Sequence, residues 1–374
     1  MTRTADFIVI GAGAAGAAAA AHLAPHGSVA ILEAESQPGY HATGRSAALW
    51  EPNFGNALVR TLIAGSGDFL RQPPDGFSEH PLLTPRGGLT IADADSTDDL
   101  AAIASERGPN SSFEPISPDE ALRRVPILRR DTIVAAYFDH GVFDMDVNAL
   151  HRGFLRMAAK SGATLHGDAR VGSIARNGRD WQVTAGSESF SAPIVVNAAG
   201  AWAEEMGRLA GCKPIGLVPM RRTAVTVDGP ADADVQSWPA VDRAGIPNYF
   251  KPEAGKLMVS PGDETPSEPQ DAQPDELDVA IAIDWFETIT TQSVKRVHHS
   301  WAGLRSFVAD RSPVVGFDEA VDGLFWLAGQ GGYGIMLSPV LGRTTASLIL
   351  EKALPADLQK AGLTPAAIGP ARLR

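Results

Sequence analysis

The sequence predicts an α/β fold, α+β overall, in which a parallel-sheet domain is interrupted by an inserted antiparallel-sheet domain. Three observations predict it: a buried strand with a glycine-rich turn near the N-terminus, similar strand–turn–helix patterns near residues 194 and 324, and alternating polar and apolar runs between these. A chain of 374 residues has room for two domains of ordinary size.

The first element has the pattern of a dinucleotide-binding turn. Residues 6–10 (DFIVI) are a short apolar run followed by Gly11, Gly13 and Gly16, an alanine-rich helical segment, and a second strand that ends on Glu33. In such a unit the first glycine permits a tight turn, the second admits a diphosphate, and the third lets the helix approach the sheet. The acid holds ribose hydroxyls. The N-terminus therefore predicts a Rossmann-like domain.

Composition excludes several classes of partner. The formal net charge is −12, so we expect no nucleic-acid partner, because phosphate binding rests on clustered Lys and Arg. No apolar run approaches the roughly 18–20 residues of a membrane span, and the chain enters a strand without a leader pattern, so we expect no membrane span and a cytoplasmic protein. Cys212 is the only cysteine, which excludes intrachain disulfides and multi-cysteine metal sites, and we predict no metal.

Later segments indicate how two domains interleave. Residues 194–200 (IVVNAAG) and 324–335 (LFWLAGQGGYGI) are buried strands that run into glycine turns and helix starts. Residues 222–227 (RTAVTV) alternate polar and apolar side chains, as does 256–260 (KLMVS) less cleanly, which predicts an antiparallel sheet. The charged, proline-containing stretch 262–276 is predicted to be a solvated surface loop and not part of a site.

These patterns predict a discontinuous cofactor-binding domain. We expect it to comprise residues 1–80, 145–215 and 305–374, and we expect residues 81–144 and 216–304 to form the substrate-binding domain.

The glycine motif alone does not distinguish NAD from FAD, but further segments resemble one family. GYHATGRSAA (39–48), EHPLL (79–83), NAAGAW (197–202), WAGLRSFVAD (301–310) and QGGYGI (330–335) resemble the FAD-dependent D-amino-acid-oxidase-like superfamily, and bacterial D-arginine dehydrogenases in particular. The resemblance implies FAD, bound non-covalently because Cys212 is not at a family attachment position. The helix start near Met336 would place its positive end near the flavin N1–C2=O region.

The glycine motif and the resemblance together imply a set of cofactor contacts. They are Gly11, Gly13, Ala14, Ala15, Gly16, Glu33, Ala34, His41, Arg45, Ser46, Ala47, Ala48, Val171, Ala199, Gly200, Trp202, Gly303, Arg305, Gly329, Gly331, Gly332, Tyr333, Gly334 and Ile335. Arg45, Ser46 and Ala47 are expected against the flavin diphosphate and ring, and His41 is expected to be structural or to contact phosphate.

The resemblance also implies the chemistry. Arg222, Arg305 and the Tyr249 hydroxyl would hold an α-amino-acid carboxylate, and the Gly332 carbonyl would accept a hydrogen bond from the substrate amine. A D-amino acid would be oxidised to an imino acid, then hydrolysed to a 2-oxo acid and ammonia, with oxygen, a quinone or another electron acceptor. Two alternatives stay open: oxidation of an N-substituted amino acid or a 2-hydroxy acid, and a flavin-binding protein without turnover.

The chain departs from the D-arginine dehydrogenase pattern where the substrate side chain would lie. Leu49, Glu51 and Phe54 replace a histidine, a threonine and a tyrosine of that family, and Gly88 replaces its guanidinium-binding glutamate. Ala240 and Asp242 replace larger apolar residues. Either Glu51 and Asp242 form a relocated acidic pocket, or both face solvent; Leu49, Trp50, Phe54 and Met336 would otherwise make a more apolar pocket.

Overall fold

The computed structural model describes residues 2–107 and 112–374, and all elements given below belong to these residues. One sheet has six strands, in the order Thr164–His166, Val29–Leu32, Phe7–Ile10, Ile194–Asn197, Leu324–Ala328 and Val314–Phe317. Neighbouring strands are parallel except the last pair. All four residues of Phe7–Ile10 are buried, because helices cover one face of the sheet and a smaller antiparallel sheet that includes Trp181 and Phe190 covers the other.

The alanine-rich segment forms the helix Ala14–Leu23, which packs tightly against the helix Gly334–Leu350. A Cβ at Gly342 would lie 2.7 Å from the Ala18 carbonyl oxygen, so a glycine is required at this crossing. Small side chains on both helices therefore let the C-terminal helix lie beside the glycine turn of the N-terminal unit.

A second sheet has nine strands and is mostly antiparallel. Eight run in the order Thr265–Pro266, Val218–Val227, Lys256–Ser260, Tyr249–Glu253, Ala240–Arg243, Gly88–Ala92, Ala135–Asp139 and Phe113–Ile116, and Val297–Phe307 pairs with Val218–Val227. One face, with Leu89, Val241 and Phe250, packs on the helix Glu276–Ile289. Side chains alternate along a strand, so the neighbouring residues lie on the opposite face.

Two smaller sheets and the remaining helices complete the described chain. The strands of the small sheets are Thr2–Thr4, Glu188–Ala192, Asp180–Ala185 and Val171–Asn177, and Leu49–Trp50, Phe143–Met145 and Leu83–Pro85. The other α-helices are Ala57–Arg71, Thr97–Arg107, Pro118–Arg124, Val147–Lys160, Ala203–Leu209, Ala356–Lys360 and Pro365–Ile368. No helix in residues 2–107 and 112–374 is long and apolar enough to cross a membrane.

The structure corrects one sequence-based expectation about a loop. The stretch 262–276 is not purely solvated, because the Asp263 side chain is only 6% exposed and accepts a hydrogen bond from the Thr223 amide at 2.6 Å. The loop folds back along Val218–Val227 and pairs with it through Thr265–Pro266. The proposed domain boundaries stay a prediction, and the strand Val297–Phe307 passes through the boundary at residues 304 and 305.

Candidate active site

A cavity lies between the six-stranded and nine-stranded sheets. The carboxyl ends of the parallel strands contribute Ile10, Leu32 and Ala198, and the other sheet contributes Ala224. Ligands bind in this position in open α/β sheets, outside the carboxyl ends of the strands. Predicted residues that line the cavity are Gly11, Gly13, Ala14, Ala15, Glu33, Ala34, His41, Arg45, Ser46, Ala47, Val171, Ala199, Gly200, Trp202, Arg222, Tyr249, Gly303, Arg305, Gly331, Gly332, Gly334 and Ile335.

Four predicted cofactor residues do not line this cavity. Gly16 and Gly329 lie in the backbone around the turns, and the Ala48 carbonyl accepts a hydrogen bond from the Met145 amide. Tyr333 is buried beside Phe54. Each of the four shapes neighbouring backbone or packing, so direct contact with the cofactor is not supported for them.

The glycine turn is a backbone cradle that a dinucleotide fits. Gly11 has φ of +97°, and a Cβ there would lie 2.5 Å from the Ala198 carbonyl oxygen, while a Cβ at Gly16 would overlap the Gly11 carbonyl oxygen. A Cβ at Gly13 would meet only the Thr43 hydroxyl, at 3.2 Å, among the described residues. Gly13 therefore keeps space free at the N-terminus of the helix Ala14–Leu23, where amide groups favour a diphosphate.

Two side chains fix this turn. One oxygen of Glu33 accepts a hydrogen bond from the Ala12 amide at 2.8 Å, and the other accepts from the Glu35 amide at 3.0 Å. From the other side, His151 Nε2 donates to the Ala12 carbonyl at 2.7 Å. Burial lowers the pKa of His151, which favours the neutral ring that this single donated bond requires. Sequence reasoning missed His151, because its partner is 139 residues away.

Arg45, in the loop after Glu33, contacts other segments of the protein. Its guanidinium donates to the Ala272 and Ala302 carbonyls, each at 3.0 Å, and pairs with the Asp271 carboxylate. Protein groups thus hold this guanidinium, while Arg45 lines the cavity, and its expected place against the flavin diphosphate and ring stays a prediction. Thr43, which sequence reasoning missed, lies at the helix N-terminus and accepts from the Ala14 amide at 3.0 Å.

The predicted His41 is part of a polar and aromatic cluster. Its Nε2 lies 3.0 Å from a Glu35 oxygen, and its ring centroid lies 4.7 Å from that of Trp202. These contacts agree with the structural role that was one of its two expected roles.

The register between the strands Val218–Val227 and Val297–Phe307 brings the predicted carboxylate-binding arginines, Arg222 and Arg305, to one face. Arg222 lies opposite Gly303, so Arg305, two residues further along the partner strand, is its diagonal neighbour. Ala224 and Arg222 share this face because they are two residues apart, whereas Arg221 points to the other face and pairs with Asp278 at 2.8 Å. The sequence-based choice of Arg222 over Arg221 therefore agrees with the cavity lining.

The two guanidinium groups differ in their partners. Arg222 Nε donates to the Asp263 carbonyl at 2.8 Å, and Nη2 pairs with Glu264 at 3.3 Å. Burial and the positive charge of Arg305 lower the pKa of Arg222 to about 10. Arg305 has no hydrogen bond or ion pair with any residue in 2–107 or 112–374, and a Cβ at Gly332 would lie 3.0 Å from its Nη1. The part of the cavity around Arg305 thus has a positive charge that an anion would balance.

The predicted substrate-pocket residues do not line the cavity; they are Leu49, Glu51, Phe54, Gly88, Ala240, Asp242 and Met336. Met336 is buried in the core, and Phe54 packs on Tyr333 at a ring distance of 5.5 Å. Asp242 is the direct cross-strand partner of Tyr249, which does line the cavity. Gly88 and Ala240 are direct partners on neighbouring strands, and Ala240 lies two residues before Asp242 on the same strand. Both residues therefore lie on the same face as Asp242.

Negative charge accumulates beyond Tyr249. Burial, together with nearby Asp242 and Asp139, raises the pKa of Glu51 to about 7, and burial raises the pKa of Asp242. Arg107 opposes this effect at 3.7 Å from Glu51, but it pairs more closely with Asp139, at 2.6 Å. Three carboxylates therefore share one guanidinium in this partly buried region.

Other cavity residues were missed by sequence reasoning. Trp301 Nε1 donates to the Arg45 carbonyl at 3.1 Å, and Ser306 and Gln330 lie at the far end beside Arg305 and Gly331. These three residues lie in the motifs WAGLRS and GQGG, which were assigned to the site from the sequence. The motifs alone do not show which of their side chains point into the cavity.

Comparison with known proteins shows the family to which this chain is similar. Residues 6–348 match a protein family described as FAD dependent oxidoreductase. Glycine oxidase of Geobacillus kaustophilus is 25% identical over 385 residues, covering 97% of this chain and 98% of that protein. Human mitochondrial sarcosine dehydrogenase is 26% identical over 93% of this chain but only 40% of that protein.

The crystal structure of the Geobacillus glycine oxidase has the same fold. It matches with a TM-score of 0.83 over 95% of this chain and 96% of that chain, at 24% identity. The family match and this structure confirm the fold class and the FAD cofactor that were predicted from the sequence.

Proposed function

Since the chain belongs to the FAD dependent oxidoreductase family, we propose that it oxidises the CH–NH2 group of a D-amino acid to the imino acid. Water then hydrolyses the imino acid to a 2-oxo acid and ammonia. When bound, FAD supplies the acceptor for the hydride that leaves the substrate Cα. The electron acceptor that reoxidises the enzyme is oxygen, a quinone or another oxidant. A location in the cytoplasm stays a prediction.

The unpaired guanidinium of Arg305 is the observation that carries this proposal. Arg305 is only partly buried, but a charge at a cavity wall without a partner in the described residues favours an anionic ligand, and a carboxylate accepts two parallel hydrogen bonds from a guanidinium. Arg222 lies diagonally across the strand pair and is held in place by Asp263 and Glu264. Two oriented cations together bind one carboxylate and fix the substrate Cα–H, which is the role of a clamp in catalysis by orientation.

Two neutral groups would complete the binding of the substrate carboxylate and amine. Tyr249 lines the cavity and would add its hydroxyl as a third donor to the carboxylate, and the Gly332 carbonyl would accept from the substrate amine. Hydride leaves Cα as the nitrogen lone pair forms the C=N bond, so the amine must be neutral at that step. An amine that binds neutral or becomes neutral can lose hydride directly, so no side-chain base is strictly required.

The region beyond Tyr249 bears on the substrate side chain. Asp242 is the cross-strand partner of Tyr249 and lies near Glu51, so a substrate side chain directed past Tyr249 would approach both, although neither lines the cavity. Since Arg107 is shared with Asp139, the relocated acidic pocket is better supported than the apolar one. We therefore favour a polar or cationic side chain, in line with the resemblance to D-arginine dehydrogenases, although the recognition acid lies at a different position.

The alternative is oxidation of an N-substituted amino acid or a 2-hydroxy acid. The similarity to a sarcosine dehydrogenase supports the first of these, because sarcosine is a secondary amine. The carboxylate clamp is common to all three substrate classes, so it does not distinguish them.

Anaerobic flavin bleaching near 450 nm against a substrate panel tests the proposal. The panel holds D- and L-forms of lysine, arginine, leucine and phenylalanine, together with glycine, sarcosine, iminodiacetate and 2-hydroxy acids. Bleaching by D-amino acids, fastest with D-lysine or D-arginine, is the expected result. Bleaching only by sarcosine, iminodiacetate or hydroxy acids would establish the alternative, and bleaching by none would favour a flavin-binding protein without turnover.

A further inference from the structure

Two polar side chains at one end of the cavity have no partner in the protein. Ser306 Oγ and Gln330 Nε2 are both buried and make no hydrogen bond with any residue in the described ranges. Both residues line the cavity, and Ser306 is only 7% exposed. A buried donor without a partner costs about 1–3 kcal/mol, and few remain in native proteins. The two groups therefore point to a bound partner.

The backbone holds these side chains in place. The Gly331 amide donates to the Ser306 carbonyl at 2.9 Å, and the Tyr333 amide donates to the Gln330 carbonyl at 2.9 Å. Gly331 has φ of +52°, and a Cβ there would overlap the Phe307 ring. The turn is thus fixed against the end of the strand Val297–Phe307, and Gln330 cannot leave the cavity by a simple backbone shift.

The substrate carboxylate is not the partner that these groups fit. Arg305 and Ser306 are successive residues of one strand, so their side chains point to opposite faces. Arg305 faces the side on which Arg222 and Tyr249 lie. Ser306 points to the opposite face, and its backbone carbonyl accepts a hydrogen bond from the Gly331 amide in the glycine turn that precedes the helix Gly334–Leu350.

The electrostatics of this end favour a ligand that gains electrons. The helix Gly334–Leu350 begins here without an acidic residue in its first turn, and Gly334 and Ile335 line the cavity. Its free amide groups and positive dipole end stabilise negative charge. The Gln330 amide adds a further donor at the same place. The isoalloxazine ring of FAD has carbonyl and nitrogen acceptors along one edge, and it becomes more negative when it is reduced.

We propose that Ser306 and Gln330 donate hydrogen bonds to the polar edge of the isoalloxazine ring and bind reduced flavin more tightly than oxidised flavin. Both are cofactor-positioning residues. The inference rests on the family's FAD and not on the identity of the amino-acid substrate, so it can be tested without turnover.

Two measurements provide the test. The first is the equilibrium binding of oxidised and of reduced FAD to the apoprotein. The second is the midpoint potential of the flavin in the FAD-loaded protein, measured against a reference dye. We expect Gln330→Leu to reduce the preference for reduced FAD about tenfold, because the lost hydrogen bond is stronger to the more negative reduced ring than to the oxidised ring. A tenfold change lowers the potential of a two-electron couple by about 30 mV. Gln330→Glu should lower the flavin potential further, since it puts a carboxylate beside the reduced ring. Ser306→Ala should also reduce the preference for reduced FAD, by a smaller factor than Gln330→Leu.

Thr344→Val is the matched control. Thr344 also has a buried hydroxyl without a partner, but it does not line the cavity, so this variant should keep the wild-type potential and FAD affinity. Unchanged potentials and an unchanged affinity ratio in all three cavity variants would overturn the proposal. A raised substrate KM with an unchanged flavin potential would also overturn it, because it would assign the two residues to the substrate.

Discussion

Arg222 and Arg305 are diagonal neighbours on adjacent antiparallel strands, because Arg222 lies opposite Gly303. Gly303 leaves the space between them free of a side chain, and both guanidinium groups line the cavity. Like charges at this separation repel, which agrees with the lowered pKa of Arg222. The two guanidinium groups are therefore placed to bind one anion together, and their repulsion does not stabilise the fold.

Arg305→Ala should lower kcat/KM for the substrate about 100-fold, because the loss of a bidentate, charge-assisted contact removes roughly 3 kcal/mol. FAD content should stay near that of the wild type. Stopped-flow anaerobic flavin reduction measures the effect. Arg221→Ala is the matched control, since Arg221 lies next to Arg222 in the chain but on the opposite face. Equal rates of reduction in the wild type and Arg305→Ala would contradict the clamp.

Gly13→Val should abolish FAD retention without unfolding the protein. A Cβ at Gly13 meets only the Thr43 hydroxyl in the described protein, so the added side chain occupies the space of the diphosphate and little else. The ratio of absorbance at 450 nm to that at 280 nm measures FAD content, and circular dichroism measures folding. Gly172→Ala is the control, because a Cβ there meets nothing within 4 Å. Stoichiometric FAD in Gly13→Val would contradict this placement of the cofactor.

Glu51→Gln should stabilise the protein at pH 8 but not at pH 4.5. The pKa of Glu51 is raised from its usual 4.5 to about 7. Between pH 4.5 and pH 7, the folded state therefore keeps a proton on Glu51 that the unfolded state has already lost. Stability therefore falls as pH rises through this window, by up to about 3 kcal/mol at about 1.4 kcal/mol per pKa unit. The uncharged glutamine removes this loss.

The melting temperatures of wild type and Glu51→Gln across pH 4.5–8 test this prediction. Glu106→Gln serves as control, because Glu106 is an exposed partner of Arg60. A stability difference between wild type and Glu51→Gln that is constant with pH would show that Glu51 is not a buried, charge-crowded carboxyl group.

Cys212 should be unreactive toward thiol reagents in the folded protein. Burial and nearby Asp318 raise the pKa of its thiol to about 12, so almost no thiolate exists at pH 8. Titration with a chromogenic disulfide reagent should label no cysteine in buffer and one in denaturant. Rapid labelling of the native protein would contradict the burial of this side chain.

The sequence by itself determined the local units of this protein. The strand, the glycines, the alanine-rich helix and Glu33 follow one another within about thirty residues, and the close approach of Gly16 to the nearby Gly11 carbonyl oxygen requires a glycine at residue 16. The alternation in RTAVTV likewise separated Arg222 from Arg221, because adjacent strand residues face opposite sides. These features depend on short-range geometry, which a single sequence contains.

Only the tertiary structure decided the contacts between distant segments. His151 supports the Ala12 carbonyl from another helix, and the loop residues Asp263 and Glu264 anchor Arg222, although their charge predicted a solvated surface. Strand register placed Asp242 opposite Tyr249, while the guanidinium of Arg45 turned to carbonyl groups of other segments. Register and loop packing depend on how the whole core closes, so the physical reason for each of these contacts lies outside its own stretch of sequence.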